Sequence, residues 1–124
     1  MHEASLMKNM LAIVEKAAAD AGGGRVTVIH LRIGEMAGVQ ADAMRFAFDV
    51  MSKGTAAEGA TLEIETVPLR VRCKRCGAEA HPEDFVFICM KCGATEIEII
   101  GGREMEVDHI LLEEAGRNAG GAGA

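Results

Sequence analysis

At 124 residues the chain has room for one domain, or for one small domain carrying a still smaller metal-stapled module, but not for two full domains. Hydrophobic residues make up 49%, yet Trp and Tyr are absent and Phe occurs four times, so the core has to be assembled from Leu, Ile, Val, Met and Ala. A formal net charge of -6 repels a polyphosphate backbone and argues against nucleic acid as the main partner, and no apolar run approaches the ~20 residues of a membrane span.

The chain opens MHEASLMKNM, without the basic start and apolar stretch of a signal peptide, so a cytoplasmic location with no membrane contact is expected. Across residues 6–18 apolar side chains recur at helical intervals, with Leu6, Met10, Ile13 and Ala17 beside Met7, Leu11, Val14 and Ala18. Gly22, Gly23 and Gly24 end that helix. Residues 25–33 have strand composition, which puts Thr27, Ile29, Leu31 and Ile33 on one face and Val26, Val28, His30 and Arg32 on the other. A turn over residues 34–38 leads into a second amphipathic helix over 42–52, where Met44, Ala47, Phe48 and Met51 form the apolar stripe. Residues 61–67 then alternate Leu62 and Ile64 against Glu63 and Glu65, the pattern of a strand with one wet face.

Pro68 marks a change of character. Residues 69–103 hold every cysteine, a basic cluster of Arg70, Arg72, Lys74 and Arg75, and short extended pieces around 85–88 and 97–100. After Gly101 and Gly102, residues 104–112 extend again with Met105, Val107, His109 and Leu111 on one face, and are expected to rejoin the first sheet as its third strand. The predicted fold is α+β: two helices on a small three-stranded mixed sheet, interrupted by an inserted β-rich, zinc-ribbon-like module. The corresponding boundaries are residues 1–68, completed by a strand within 104–114, the insert at 69–103, and a Gly- and Ala-rich tail at 115–124 that is expected to be disordered.

The four cysteines read C-x2-C, twelve residues, C-x2-C, with Gly77 and Gly93 directly after each pair. In a reducing compartment such pairs point to metal or redox chemistry rather than to disulfides. Two residues between thiolates let the backbone wrap one side of a tetrahedral ion, so Cys73, Cys76, Cys89 and Cys92 are the predicted ligands of a closed structural zinc site with no open position for substrate. A rubredoxin-like iron centre would use the same ligands but normally surrounds them with aromatic residues, of which this insert has only Phe85 and Phe87. A thioredoxin-like pair needs one such motif at a helix start, not two matched ones. The basic cluster keeps a nucleic-acid-binding zinc ribbon in view as an alternative, and His81 is read as a surface residue rather than a further ligand.

Met1, His2 and Glu3 form a second candidate metal site. The Met1 amine, the His2 amide nitrogen and the His2 imidazole can close adjacent chelate rings around one ion, with a fourth donor from the Glu3 amide or carboxylate. That planar, nitrogen-rich set suits Ni(II) or Cu(II) better than tetrahedral zinc. The bulk of His2 favours retention of the initiator methionine. His30 and His109 are read as packed or surface residues.

With the MHE start leading into a helix, RVTVIHLRIGEMAGV, FAFDV, EGATLEIE, the two cysteine knuckles and the closing GREMEVDHILLEE, the chain resembles the HypA/HybF hydrogenase nickel-incorporation proteins from Met1 to about Glu114. The resemblance implies a nickel-binding α/β domain, an inserted zinc domain, and cooperation with a GTPase of the HypB type in supplying nickel to the large subunit of [NiFe]-hydrogenase. It places His2 at the family's nickel ligand, Met1 and Glu3 at the neighbouring nickel-site positions, and the four cysteines at the zinc ligands. Where some members have an acidic residue near the nickel site this chain has Gln40, and Gly77 and Gly93 stand where some carry histidines. A phosphate loop, a nucleophile arrangement and an open metal site are all missing, so a non-catalytic role is expected, in a monomer or homodimer.

Overall fold

A computed structural model of the chain describes residues 3–82 and 86–113. The initial Met1 and His2, the Phe85 end of one predicted extended piece and the predicted tail at 115–124 lie outside the described residues. The described chain forms α1 (Glu3–Asp20), β1 (Val26–Gly34), a 3-10 turn (Glu35–Ala37), α2 (Ala41–Met51), β2 (Thr61–Val67), β3 (Arg70–Cys73), β4 (Glu79–Ala80), β5 (Ile97–Gly101) and β6 (Met105–Leu112). These fall into two compact units. One takes the described parts of Met1–Arg32, Val39–Glu65 and Glu106–Ala124; the other takes Ile33–Gly38 and Thr66–Met105.

In the first unit α1 and α2 pack on each other. Leu6, Met7, Met10, Leu11, Val14 and Ala18 of α1 are buried, as are Met44, Ala47 and Phe48 of α2. Burying a Leu, Met or Phe side chain contributes roughly 1.5–3 kcal/mol, several times what helix propensity supplies per residue, so the buried stripe fixes both helices in place. Ile13 and Ala17, expected on the inner stripe of α1, face solvent instead, because the buried arc is narrower than the apolar one. The glycine stop is a Schellman cap: the Gly23 amide donates to the Ala18 carbonyl and the Gly22 amide to the Ala19 carbonyl, with Gly22 at φ 103°.

The first sheet has the strand order β2-β1-β6 and is mixed. The Glu113 amide donates to the Arg25 carbonyl at one end of β1, and the Gly34 amide to the Glu104 carbonyl at the other, so β6 runs antiparallel to β1. Arg25 meets Glu58 while Arg32 meets Glu65, so β2 runs parallel to β1, joined to it through α2. The alternation expected of β1 holds from Val28 onward, but Val26 is buried and Thr27 exposed, the reverse of the predicted faces. In β6, Asp108 and His109 are both exposed, after which Ile110 and Leu112 turn inward and Leu111 outward. His109 and Leu111 therefore do not share a face with Met105 and Val107. The two end bonds are nine residues apart on each strand, so no net register shift separates them.

The second unit holds a sheet of order β4-β3-β5, all antiparallel, with Val71 opposite Ala80 on one side and Ile99 on the other. Residues 86–88, predicted as extended, carry no ladder bonds and form no strand. Gly34 and Gly102 meet here backbone to backbone. A Cβ on Gly34 would lie 2.0 Å from the Gly102 carbonyl oxygen, and Gly102 itself sits at φ 108° with Leu69 Cα 2.7 Å from the position of its own missing Cβ. The Met36 amide donates to that same Gly102 oxygen, and Glu35 Oε1 accepts from the Leu69 amide. Neither side of this crossing can retreat as a flexible side chain could. A Gly34→Ala variant should therefore lose about 3 kcal/mol, at the top of the overpacking range, read as a lowered denaturant midpoint.

Candidate metal centre

The β3 strand delivers Cys73 into a tight turn that ends at Gly77, and a second turn of the same form runs from Cys89 to Gly93. In each, the glycine amide donates to the carbonyl of the first cysteine, at 2.9 Å for Gly77 and 2.8 Å for Gly93. Each first cysteine in turn donates its own amide two residues past its partner, Cys73 to the Ala78 carbonyl and Cys89 to the Ala94 carbonyl, both at 2.8 Å. Gly77 and Gly93 sit at φ 80° and 77°, a region that a side chain makes costly. The two knuckles are thus copies of one turn, legible in the sequence as the paired C-x2-C-G.

All four sulfurs lie within 4.8 Å of one another. Cys73 Sγ and Cys92 Sγ are 3.7 Å apart, and Cys76 Sγ and Cys89 Sγ 3.6 Å. Four thiolates at about 2.3 Å from zinc occupy tetrahedron corners about 3.8 Å apart, so the sulfurs stand where a tetrahedral ion needs them and too far apart for disulfides. Cys73 and Cys89 are buried with Ala94, against which Ala78 and Ile97 pack, while Cys76 and Cys92 are exposed. The centre therefore has an apolar floor and a wet rim.

Backbone amides are aimed at the inner sulfurs. The Cys76 and Arg75 amides hold the Cys73 thiol below its ordinary range, and the Cys92 and Lys91 amides bring Cys89 down to about 6. At Cys92 the Ala94 amide favours the thiolate, but burial and the neighbouring sulfurs of Cys73, Cys89 and Cys76 outweigh it and push the thiol up to about 11. Four negative sulfurs this close repel one another unless a cation sits among them. The arrangement is that of a cation cage, since a divalent ion supplies the charge that lets the last thiol ionise.

Two of the four basic residues beside the first knuckle are paired within the sheet. Arg70 pairs with Glu79, and Arg72 reaches Glu79 and Glu98, both at 3.3 Å, across the three strands of the same sheet. His81 is exposed and stands outside the four-sulfur group.

Of the predicted N-terminal site, only Glu3 is described. It begins α1, and its Oε2 accepts the Gln40 amide at 3.0 Å. Gln40 is the N-cap of α2 and supplies no side-chain cap of its own; a carboxylate 37 residues away accepts its amide and sits at the positive end of the helix. That link ties the first turn of α1 to the start of α2, and nothing in the local sequence announces it.

A profile of the family described as "Hydrogenase/urease nickel incorporation, metallochaperone, hypA" matches residues 1–112. The chain belongs to this family. Among curated relatives, the hydrogenase maturation factor HypA of Roseiflexus sp. strain RS-1 is 48% identical over 115 residues, covering 92% of this chain and 94% of that protein. The HypA of Chloroflexus aurantiacus is 44% identical over 110 residues, covering 86% and 95%. In fold, the chain is similar to the solution structure of the nickel metallochaperone HypA from Helicobacter pylori, with a TM-score of 0.67 at 23% identity over 90% of this chain and 97% of that one. A second HypA solution structure matches with a TM-score of 0.70, also at 23% identity, over 91% and 97%. Among the described residues no helix is long and apolar enough to cross a membrane.

Proposed function

We propose that this chain is a non-catalytic nickel carrier, which takes up Ni(II) through Met1, His2 and Glu3 and passes it, with a HypB-type GTPase, to the large subunit of [NiFe]-hydrogenase. The observation that carries this reading is that the family match starts at residue 1, so the chelating triplet lies inside the matched stretch. The chemistry agrees: an amine, an amide nitrogen and an imidazole in adjacent chelate rings favour a square, nitrogen-rich ion over tetrahedral zinc. With its carboxylate on the Gln40 amide, Glu3 is better placed to contribute its backbone nitrogen than its side chain.

In the same reading the four-sulfur cage holds zinc as a structural ion. It is closed by four protein ligands, and the sulfur-rich shell is the one zinc prefers. The nickel-binding domain comprises residues 1–68 completed by the strand within 104–114, and residues 69–103 form the zinc domain. A ribbon that grips nucleic acid is less well supported, because Arg70 and Arg72 are already matched to Glu79 and Glu98.

The test is nickel loading of untagged, zinc-replete protein before and after chemical acetylation of the N-terminal amine. Acetylation should abolish tight nickel uptake while leaving the zinc content unchanged. Equal nickel affinity with a blocked terminus would remove the basis for the carrier role.

A further inference from the structure

Three strands of the first sheet bring together two histidines that lie 79 positions apart in the sequence. His30 on β1 and His109 on β6 stack with ring centroids 4.9 Å apart and planes inclined by 7°. Three carboxylates surround them. Glu65 Oε1 lies 2.9 Å from His30 Nε2, Glu63 Oε1 3.2 Å from His30 Nδ1, and Asp108 Oδ2 2.8 Å from His109 Nδ1. The rim is completed by Arg32, which sits 3.6 Å from Glu65 and 3.7 Å from Glu106. All of these groups belong to one compact unit.

We propose that His30, His109 and Glu65 form a second binding site for a divalent transition-metal ion, with nickel as its first candidate, on the exposed face of the β2-β1-β6 sheet. Two imidazoles and carboxylate oxygens are the donor set that suits Ni(II), Co(II) and Zn(II). Ligands at about 2.1 Å in adjacent positions around an octahedral ion stand about 3 Å apart, and the 2.9 Å between His30 Nε2 and Glu65 Oε1 matches that bite. Glu63 sits at the opposite nitrogen of His30, so an ion on the Glu65 side would use His30 as a bridge held from behind by Glu63. This is the outer carboxylate that commonly orients a ligating imidazole. His109, half-exposed and one ring away, completes the set by a side-chain rotation that gives up its contact with Asp108.

A carboxylate accepts and does not donate, so contacts with Glu65 at one ring nitrogen and Glu63 at the other favour the doubly protonated ring of His30, and an ion at Nε2 competes with that proton. The hydrogen bonds to Glu65 and Glu63 raise its pKa above the ordinary histidine value, with Asp108 adding to the same effect. The other charged groups that face it are Arg32 on its own strand, and Glu106 and His109 on β6. Metal binding breaks the Nε2–H bond of His30, releases that proton to solvent and puts the ion on the freed lone pair. Metal and proton compete for the same nitrogen, so uptake strengthens as pH rises.

The site stands apart from the N-terminal one, and a His2→Ala background separates them. Untagged, zinc-loaded His2→Ala protein dialysed against Ni(II) at pH 8 should retain about one nickel per chain, and much less at pH 6. Adding His30→Gln and His109→Gln should remove that nickel, and Glu65→Gln should weaken it, with zinc content and circular dichroism unchanged. In case the double substitution disturbs the sheet, ring NMR of the His2→Ala protein gives an independent reading: paramagnetic Ni(II) should broaden the His30 and His109 resonances well before those of His81. Absence of bound nickel in the His2→Ala protein, or broadening centred on His81, would overturn the assignment whatever the N-terminus does.

Discussion

Replacing Cys76 with Ala should strip the zinc from the chain, from about one ion to none by elemental analysis, and melt the second unit. The choice of Cys76 over Cys73 matters. Cys73 is 1% exposed and packs with Cys89 and Ala94, so its truncation removes apolar contact as well as a ligand. Cys76 is exposed and contributes sulfur with little packing, which makes its loss a nearly pure test of the metal. Among the described residues of the second unit the buried apolar side chains are Ile33, Val67, Leu69 and Val71 beside Cys73, Cys89 and Ala94, and at roughly 1.5–3 kcal/mol for each larger one they fall well short of the chain entropy of roughly 45 residues at about 1–2 kcal/mol each. Structural zinc in comparably small modules contributes about 10–16 kcal/mol. With three ligands left, the ladder of β3 with β4 and β5 should lose its amide protection from hydrogen exchange, while the helical circular dichroism of α1 and α2 stays, since both helices lie in the other unit. A Cys76→Ala protein that kept its zinc and its protected β3 amides would show that packing, not metal, holds the second unit.

What was legible in the sequence follows from how local each signal is. The knuckles are encoded within five residues apiece, so C-x2-C-G predicts both turns and the gathering of the four sulfurs, whose separations suit a tetrahedral ion. Helix α1 and strand β2 were legible for the same reason: a stripe or an alternation sampled over several turns averages out single exceptions such as Ile13. Strands β1 and β6 are legible as strands but not in their faces, because strict alternation breaks at Val26–Thr27 and again at Asp108–His109, and no residue type marks either break. The second break leaves His109 on the exposed side, where it stacks on His30. A period-two reading had put it with Met105 and Val107. The Glu3–Gln40 and Gly34–Gly102 contacts were out of reach for another reason. Both join backbone to distant chain, 37 and 68 residues away, and only the folded topology brings them together.

Substituting His2 with Ala should reduce hydrogenase activity in cells to that of a strain lacking this chain, with the protein folded, zinc-loaded and present at normal levels. In the proposed site the imidazole is the side-chain donor beside backbone nitrogens, and without it the second chelate ring cannot close. Because a carrier acts by raising the local supply of an ion and not by altering the chemistry of its insertion, mass action predicts that excess nickel in the medium restores part of the activity. No such rescue is expected if His2 serves only to hold the fold. Acidity supplies a second signature. An amine near ~7.7–8.0 and an imidazole near ~6.5 must both be deprotonated to bind, so nickel affinity at the terminus should fall on the order of 100-fold between pH 8 and pH 6, before any cost of deprotonating the amide. A calorimetric titration that gave the same affinity at both pH values would mean that the ion is held by other groups.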